Sequence, residues 1–159
     1  MPAPHTPAQQ QSTSAQDPAE AGLVVVSENG FGPYGQQVRA GHHRLAVDEP
    51  EPLGTDSGPG PYDLLLASLG ACVSMFIRAY AARKGWSLEK VTVSLRHRRV
   101  RAGDSGNRTV SQITQEIRLD GPLDAGQRRR LMKTAENCPV HRTLTEGALI
   151  NTTPNPAHP

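Results

Sequence analysis

The chain has 159 residues, a formal net charge of +2, only 4 % aromatic residues and two cysteines. The length is that of about one domain. The charge gives no strong reason to expect a nucleic-acid partner, and two cysteines are too few for a secreted disulfide scaffold. Because aromatic side chains are so few, aliphatic residues must fill the core.

The first 21 residues predict a disordered N-terminal tail. They consist mainly of Pro, Gln, Ser, Thr and Ala, and no large apolar residue follows Met1. Such a segment cannot bury enough surface to offset the entropy lost on ordering. It lacks the apolar run of a secretory signal and the arginines of a transit peptide, so we expect a cytoplasmic location. Residues 153–159 predict a second disordered tail, which leaves residues 22–152 as the folded domain.

A meander of three short strands is expected next. Leu23 to Val26 is a β-branched run that ends at Asn-Gly and Gly-Pro turn signals. A second strand is expected around Gln37 to Arg39, and in a third strand Leu45 and Val47 alternate with polar neighbours. Residues 48–61 are rich in Pro, Gly and acidic side chains, which predicts a long loop.

The longest apolar stretch, residues 64–77, predicts the helix around which the domain is organised. It is apolar on every side, so the helix must be buried all round. We expect it to run from residue 61 or 62 to residue 84, with Asp63 near the positive end of the helix dipole and Gly85 at the C-terminal end. An apolar length of about 14 residues is shorter than the roughly 17 to 25 that cross a bilayer. A soluble core helix is therefore expected, without a membrane partner.

The rest of the chain predicts a β-hairpin, two helices and a final strand. Apolar residues alternate with polar ones in residues 91–95 and again in residues 113–119, on either side of the turn DSGNR. Asp124 can cap a helix that runs to about residue 136. Pro139 fits the first position of a third helix, to about residue 144, and residues 148–152 predict the last strand. The predicted fold class is α+β.

The two cysteines are the residues best suited to redox chemistry. With proline at the first helical position, Cys138 is the N-cap of the third helix, where backbone N–H groups favour a thiolate and His141 can add positive charge. Cys72 lies in mid-helix among apolar neighbours, where its pKa would rise unless another element supplied a cation. Arg39, Arg44 or a residue of a partner subunit are candidates for that cation. These arguments favour Cys138 as the thiolate.

The cysteines lie in two longer motifs, PYDLLLASLGACVSMFIRAYAARKGW and ENCPVHRTLTEGALI. Together the motifs resemble the OsmC/Ohr family of thiol-dependent hydroperoxide reductases, most closely its YhfA-type branch, over roughly residues 23–152. The resemblance implies an intertwined homodimer with curved antiparallel sheets around two central helices. It also implies that Cys72 attacks the peroxide and that Cys138 resolves the sulfenic acid to a disulfide. No cofactor is implied, and a small dithiol or a dithiol protein would restore the thiols.

Two positions depart from the pattern of the hydroperoxidases in this family, which carry an arginine in the first hairpin and a glutamate at the start of the central helix. Here the turn SENGFGPYG has no arginine. Tyr62 stands at the glutamate position, with Asp63 beside it. The candidate substitutes elsewhere are Arg39, Arg44 and Glu51.

Two function hypotheses follow. The first is reduction of organic hydroperoxides in oxidative-stress defence through Cys72 and Cys138, because apolar surroundings favour an organic substrate. The second is a non-catalytic dimer that binds an apolar small molecule, with buried and inert cysteines. A zinc site is not expected, because Cys138 and His141 are too few ligands. The basic runs spread over opposite faces of their elements, which argues against nucleic-acid binding.

Overall fold

The computed structural model describes residues 22–102 and 108–154. The described residues form two compact units, with the boundary between Gly60 and Pro61. The predicted N-terminal tail, the end of the predicted C-terminal tail and the turn of the predicted hairpin fall outside the described residues.

The N-terminal unit contains the predicted three-stranded meander. Its strands are β1 (Val24–Glu28), β2 (Gln36–Ala40) and β3 (His43–Val47), paired antiparallel in the order β1-β2-β3. In this register Val26 lies opposite Val38. The sheet leaves much of its apolar surface uncovered, and its exposed large side chains are Leu23, Val24, Val25, Val26 and Leu45.

The long loop after β3 is organised around one buried carboxylate, Asp48. Its oxygens accept hydrogen bonds from the backbone N–H groups of Glu49 at 2.8 Å, Thr55 at 2.9 Å and Ser57 at 3.3 Å. The hydroxyl groups of Thr55 and Ser57 also donate, at 2.7 and 3.0 Å. The Thr55 hydroxyl is the largest single influence on the pKa of Asp48. Together these donors outweigh the effect of burial and hold that pKa well below its usual range.

The second unit begins with the central helix α1 (Pro61–Arg83), which agrees with the predicted helix. The helix ends where Gly85 takes a left-handed conformation, with φ of 65°, and the Trp86 N–H donates to the Ala81 carbonyl at 3.0 Å. Gly70 allows a close approach to the sheet, because a Cβ atom there would lie 2.8 Å from a methyl carbon of Leu95. The buried residues of α1 are Leu69, Gly70, Val73, Ile77 and Ala81.

Helix α1 is more apolar than the predicted 14-residue stretch suggested. By length and composition alone it could cross a membrane, since an 18-residue window has a mean hydropathy of 1.7. Core helices of soluble proteins meet the same criterion, and here a hairpin and two further helices pack against α1. Only 28 % of the window is buried within the described chain.

The elements that cover α1 are the predicted hairpin and helices. Strands β4 (Lys90–Ala102) and β5 (Arg108–Asp120) pair antiparallel, and helices α2 (Ala125–Ala135) and α3 (Pro139–Glu146) follow. Asp124 caps α2 as predicted, in a capping box with Gln127. The core common to these elements is Leu69, Val73, Ile77, Ala81, Leu88, Leu119, Leu123, Leu131, Ala135 and Cys138.

The predicted final strand over residues 148–152 is wrong. No described strand pairs with this segment, and the side chains of Leu149 and Ile150 are 97 % and 87 % exposed. A β-prone sequence forms a strand only where a neighbouring strand satisfies its backbone groups. Within the described residues nothing supplies that pairing.

Candidate functional site

An apolar groove on one side of α1 contains the thiol of Cys72. The side chain is half-buried, one helical turn from Ser68 and Phe76. The groove has a volume of about 560 Å³ and is lined by Ser68, Ala71, Cys72, Met75, Phe76, Ala79, Pro139 and Val140. None of these described residues is charged, so within this unit the groove offers Cys72 an apolar setting and no cation.

Cys138 lies behind the groove, at the junction of α1 and α3. It is the N-cap of α3, as predicted, and its sulfur accepts a hydrogen bond from the His141 N–H at 3.5 Å. The side chain is fully buried, and burial is the main reason why the pKa of this thiol is raised. Burial therefore opposes the thiolate form expected for Cys138, because desolvation outweighs the backbone N–H groups.

The neighbouring thiol of Cys72 raises the pKa of Cys138 further. Both cysteines are free in the structure. Cys72 lines the groove and Cys138 is fully buried, so an oxidant that enters the groove reaches Cys72 first.

The predicted supporting residues of the early strands lie in the N-terminal unit. Arg39 on β2 and Arg44 on β3 are directly opposite each other, so the two arginines lie on the same face of the meander. Glu51 is exposed in the turn that follows β3. Their predicted roles next to Cys72 stay predictions.

The structure does not bring Asp63 into the groove with Cys72. Asp63 lines a separate cavity of about 590 Å³ between α1 and the β4–β5 hairpin, together with Lys90 and Arg118. Tyr62, at the position where the resemblance expects a glutamate, stacks on His97 of β4, with ring centroids 4.1 Å apart and an interplanar angle of 9°. This stack was not predicted, although period-two alternation places His97 on the same face as the apolar residues of β4.

His141 contributes to the site through its backbone. Its N–H donates to Cys138, but its imidazole lines a different pocket, of about 240 Å³, with Gln115 and five other residues. The next residue, Arg142, does not supply a positive charge to Cys138 either, because its guanidinium forms an ion pair with Glu146 at 3.1 Å. In residues 22–102 and 108–154, no group of three or more His, Cys, Asp or Glu side chains is arranged to hold a metal ion.

Several solved structures have the same fold as this chain. An OsmC-like protein from Mycoplasma pneumoniae superposes with a TM-score of 0.65 at 18 % identity, covering 77 % of this chain and 86 % of its own. An organic hydroperoxide resistance protein OsmC from Legionella pneumophila gives 0.58 at 20 %, with 77 % and 88 % covered. The organic hydroperoxide resistance protein OhrB of Bacillus subtilis gives 0.56 at 16 %, with 76 % and 89 % covered.

The likeness extends to the sequence of the C-terminal unit. No curated protein sequence matches the chain significantly. A family model described as OsmC-like protein matches residues 54–153, which is more than half of the chain and includes both cysteines. The α+β fold, with antiparallel sheets and three helices, is that of OsmC-like proteins. This chain therefore belongs to the OsmC-like protein family.

Proposed function

We propose that this protein reduces organic hydroperoxides in oxidative-stress defence, through a two-cysteine cycle of Cys72 and Cys138. The observation that supports this most directly is that Cys72 lines the groove and packs against the buried core cluster that contains Cys138. Two solved structures with the same fold are named organic hydroperoxide resistance proteins.

The proposed cycle begins at Cys72. Its thiolate attacks one oxygen of the hydroperoxide, so that an S–O bond forms, the O–O bond breaks and the alcohol leaves with a proton. The sulfur of Cys138 then attacks the Cys72 sulfenic acid, an S–S bond forms and water leaves. The two thiols together lose two electrons, and the hydroperoxide gains these two electrons. A small dithiol or a dithiol protein restores both thiols by exchange.

The different exposures of the two thiols support this order. A buried Cys138 with a raised pKa stays protonated and out of reach of the substrate until Cys72 has been oxidised beside it. The side chains around Cys72 are aliphatic, aromatic or thioether groups apart from the Ser68 hydroxyl. An organic hydroperoxide with an apolar body gains more binding free energy in such a groove than hydrogen peroxide does, because it buries apolar surface there.

Activation of Cys72 needs a cation that the groove itself does not contain. We assign this role to Arg39 or Arg44, on the N-terminal meander of the same chain or of a partner subunit, with Glu51 as the carboxylate that orients the guanidinium. A cation close to a thiol favours its thiolate form. To test the assignment, each arginine is substituted in turn by glutamine and the pH dependence of Cys72 alkylation is measured. Loss of the arginine beside the thiol should raise the apparent pKa of Cys72, whereas loss of the other arginine should leave it unchanged.

The proposed assembly is an intertwined homodimer in the cytoplasm. Large apolar side chains stay exposed in both units, among them Val24, Val26, Met75, Leu149 and Ile150. Apolar surface of this extent is usually covered by a partner. A monomeric mass by light scattering at micromolar concentration would contradict the dimer.

The alternative is a non-catalytic dimer that binds an apolar small molecule. The raised pKa of Cys138 and the lack of charge among the described groove residues favour this alternative. It differs from the first proposal in one measurable respect, since its cysteines would not react with peroxide.

The test uses the reduced protein and one equivalent of cumene hydroperoxide. We expect both thiols to disappear and an intramolecular Cys72–Cys138 disulfide to appear by mass spectrometry. Cys72→Ser should abolish peroxide consumption. The matched variant Cys138→Ser should still consume one equivalent and leave a Cys72 sulfenic acid that dimedone traps. Two unreacted thiols in the unmodified protein would overturn the proposal in favour of the non-catalytic alternative.

A further inference from the structure

The two units carry opposite charge. In residues 22–60 five side chains are acidic and two are basic, whereas in residues 61–102 and 108–154 fifteen are basic and seven are acidic. Opposite charge on two surfaces steers them together and decides which surfaces meet. In each unit most of this charge lies in one short segment.

The basic segment lies where β4 ends and β5 begins. Apart from His97, every ionisable side chain in residues 96–102 and 108–115 is an arginine, and all five are exposed: Arg96, Arg98, Arg99, Arg101 and Arg108. Period-two alternation places Arg99 and Arg101 on one face of the hairpin, the face on which Tyr62 stacks against His97. Neither arginine takes part in the two ion pairs of the described residues. We call Arg99 and Arg101 the arginine surface.

The acidic segment is the loop after β3. Residues 49–56 contain Glu49, Glu51 and Asp56 and no basic residue. Glu51 and Asp56 are exposed and Glu49 is half-buried. The hydrogen bonds that the loop backbone donates to the buried Asp48 hold this loop in one conformation. Its carboxylates are therefore positioned before a partner binds, which lowers the entropy lost on binding.

We propose that, in the dimer, the arginine surface of one copy binds the acidic loop of a second copy. Arg99 and Arg101 pair with the partner subunit's Glu49 and the partner subunit's Asp56, since a guanidinium group matches a carboxylate in shape as well as in charge. Glu51 stays available for the role assigned to it above. In a two-fold dimer the contact forms twice.

A second copy fits this surface because the chain itself supplies the complementary charge. Both units also leave large apolar side chains exposed, which a second copy would cover. The proposal rests on the dimer of the proposed function and adds to it the residues that select the partner.

The test reverses the charge on each side of the contact. The hairpin variant carries Arg99→Glu and Arg101→Glu. The loop variant carries Glu49→Lys and Asp56→Asn, because asparagine tolerates the left-handed conformation of residue 56, which has φ of 54°. In a homodimer of either variant like charges face each other at both contacts, and we expect the dimer Kd to rise about tenfold. In a heterodimer of the two variants opposite charges face each other at both contacts.

Equal amounts of the two variants are unfolded together and refolded, and native mass spectrometry measures the dimers. Random pairing gives about half heterodimer, and a tenfold difference in Kd raises this share to about nine-tenths. The control variant carries Arg129→Glu and Arg130→Glu, which make the same change of charge at exposed positions on α2. Refolded with the loop variant, it should give no more than about half heterodimer, because its arginine surface is unchanged.

Random pairing of the hairpin and loop variants would overturn the proposal, and so would an equal excess of heterodimer with the control variant. If the pairing is random and the hairpin variant alone loses binding to a fluorescent oligonucleotide, the arginines bind a polyanion instead. Should either variant fail to fold, the unmodified dimer decides, since its Kd should rise in about 1 M salt and an unchanged Kd would refute the contact. A monomeric unmodified protein would overturn the proposed dimer as well, whereas random pairing within a dimer overturns this contact alone.

Discussion

Leu131→Ala should destabilise the protein strongly, because Leu131 is fully buried where α2 packs against the core. The substitution removes three buried carbon groups at roughly 0.8 kcal/mol each, which gives about 2.4 kcal/mol of lost transfer free energy. The cavity that remains raises the expected cost to about 3–5 kcal/mol. The next residue of the same helix supplies a control. Met132 is 43 % exposed, so Met132→Ala should cost about 1 kcal/mol or less.

Urea unfolding followed by far-UV circular dichroism measures both costs at the same protein concentration. We expect the midpoint of Leu131→Ala to fall well below that of Met132→Ala, with a similar slope for the two variants. A cost below about 1 kcal/mol for Leu131→Ala would refute the assignment of Leu131 to a packed core. Equal and large costs for both variants would mean that the Met132 face of α2 is also covered in solution.

Two further predictions concern the thiols and the loop before α1. Iodoacetamide at neutral pH should modify Cys72 well before Cys138, since Cys138 is fully buried and its pKa is raised. Denaturant should abolish this difference in rate. Peptide mapping that finds Cys138 modified first would contradict the order. The pKa of Asp48 is lower in the folded protein than its value of about 3.8 in the unfolded chain. The Asp48 carboxylate therefore stabilises the folded state above about pH 3.8, and this contribution is lost as the pH falls below that value. Asp48→Asn should therefore lower the urea midpoint at pH 7 and reduce its dependence on pH between 3 and 5, and a variant with an unchanged acid limb would refute the role of Asp48.

The local signals in the sequence predict most of the described fold. Alternation in residues 91–95 and 113–119, the capping residue Asp124 and the left-handed Gly85 are each read from neighbouring residues, and each is confirmed. The predicted strand over residues 148–152 is wrong because strand formation also depends on residues far away in the sequence. Its residues favour strand locally, but a strand also needs a partner, and pairing between distant segments leaves no local signal.

The candidate site was predicted less completely than the fold. Spacing alone identifies Cys138 as an N-cap, because Pro139 sets the first helical position. The same spacing gives no information on desolvation, which depends on how α1, α2 and α3 pack, and desolvation reverses the expected effect on the pKa of Cys138. The pocket that Gln115 and His141 line was missed for the same reason. Alternation along β5 places Gln115 on the buried face, but only tertiary structure brings α3 to it.

The Cys-Pro-Val-His segment connects the two cavities through a single helical turn. Cys138 caps α3 in the core, Val140 lines the groove of Cys72, and His141 lines the pocket of about 240 Å³ while its N–H donates to the Cys138 sulfur. A displacement of this turn towards either cavity changes the packing around the buried thiol. The rate at which Cys138 reaches an oxidised Cys72 should therefore depend on how firmly this turn is held.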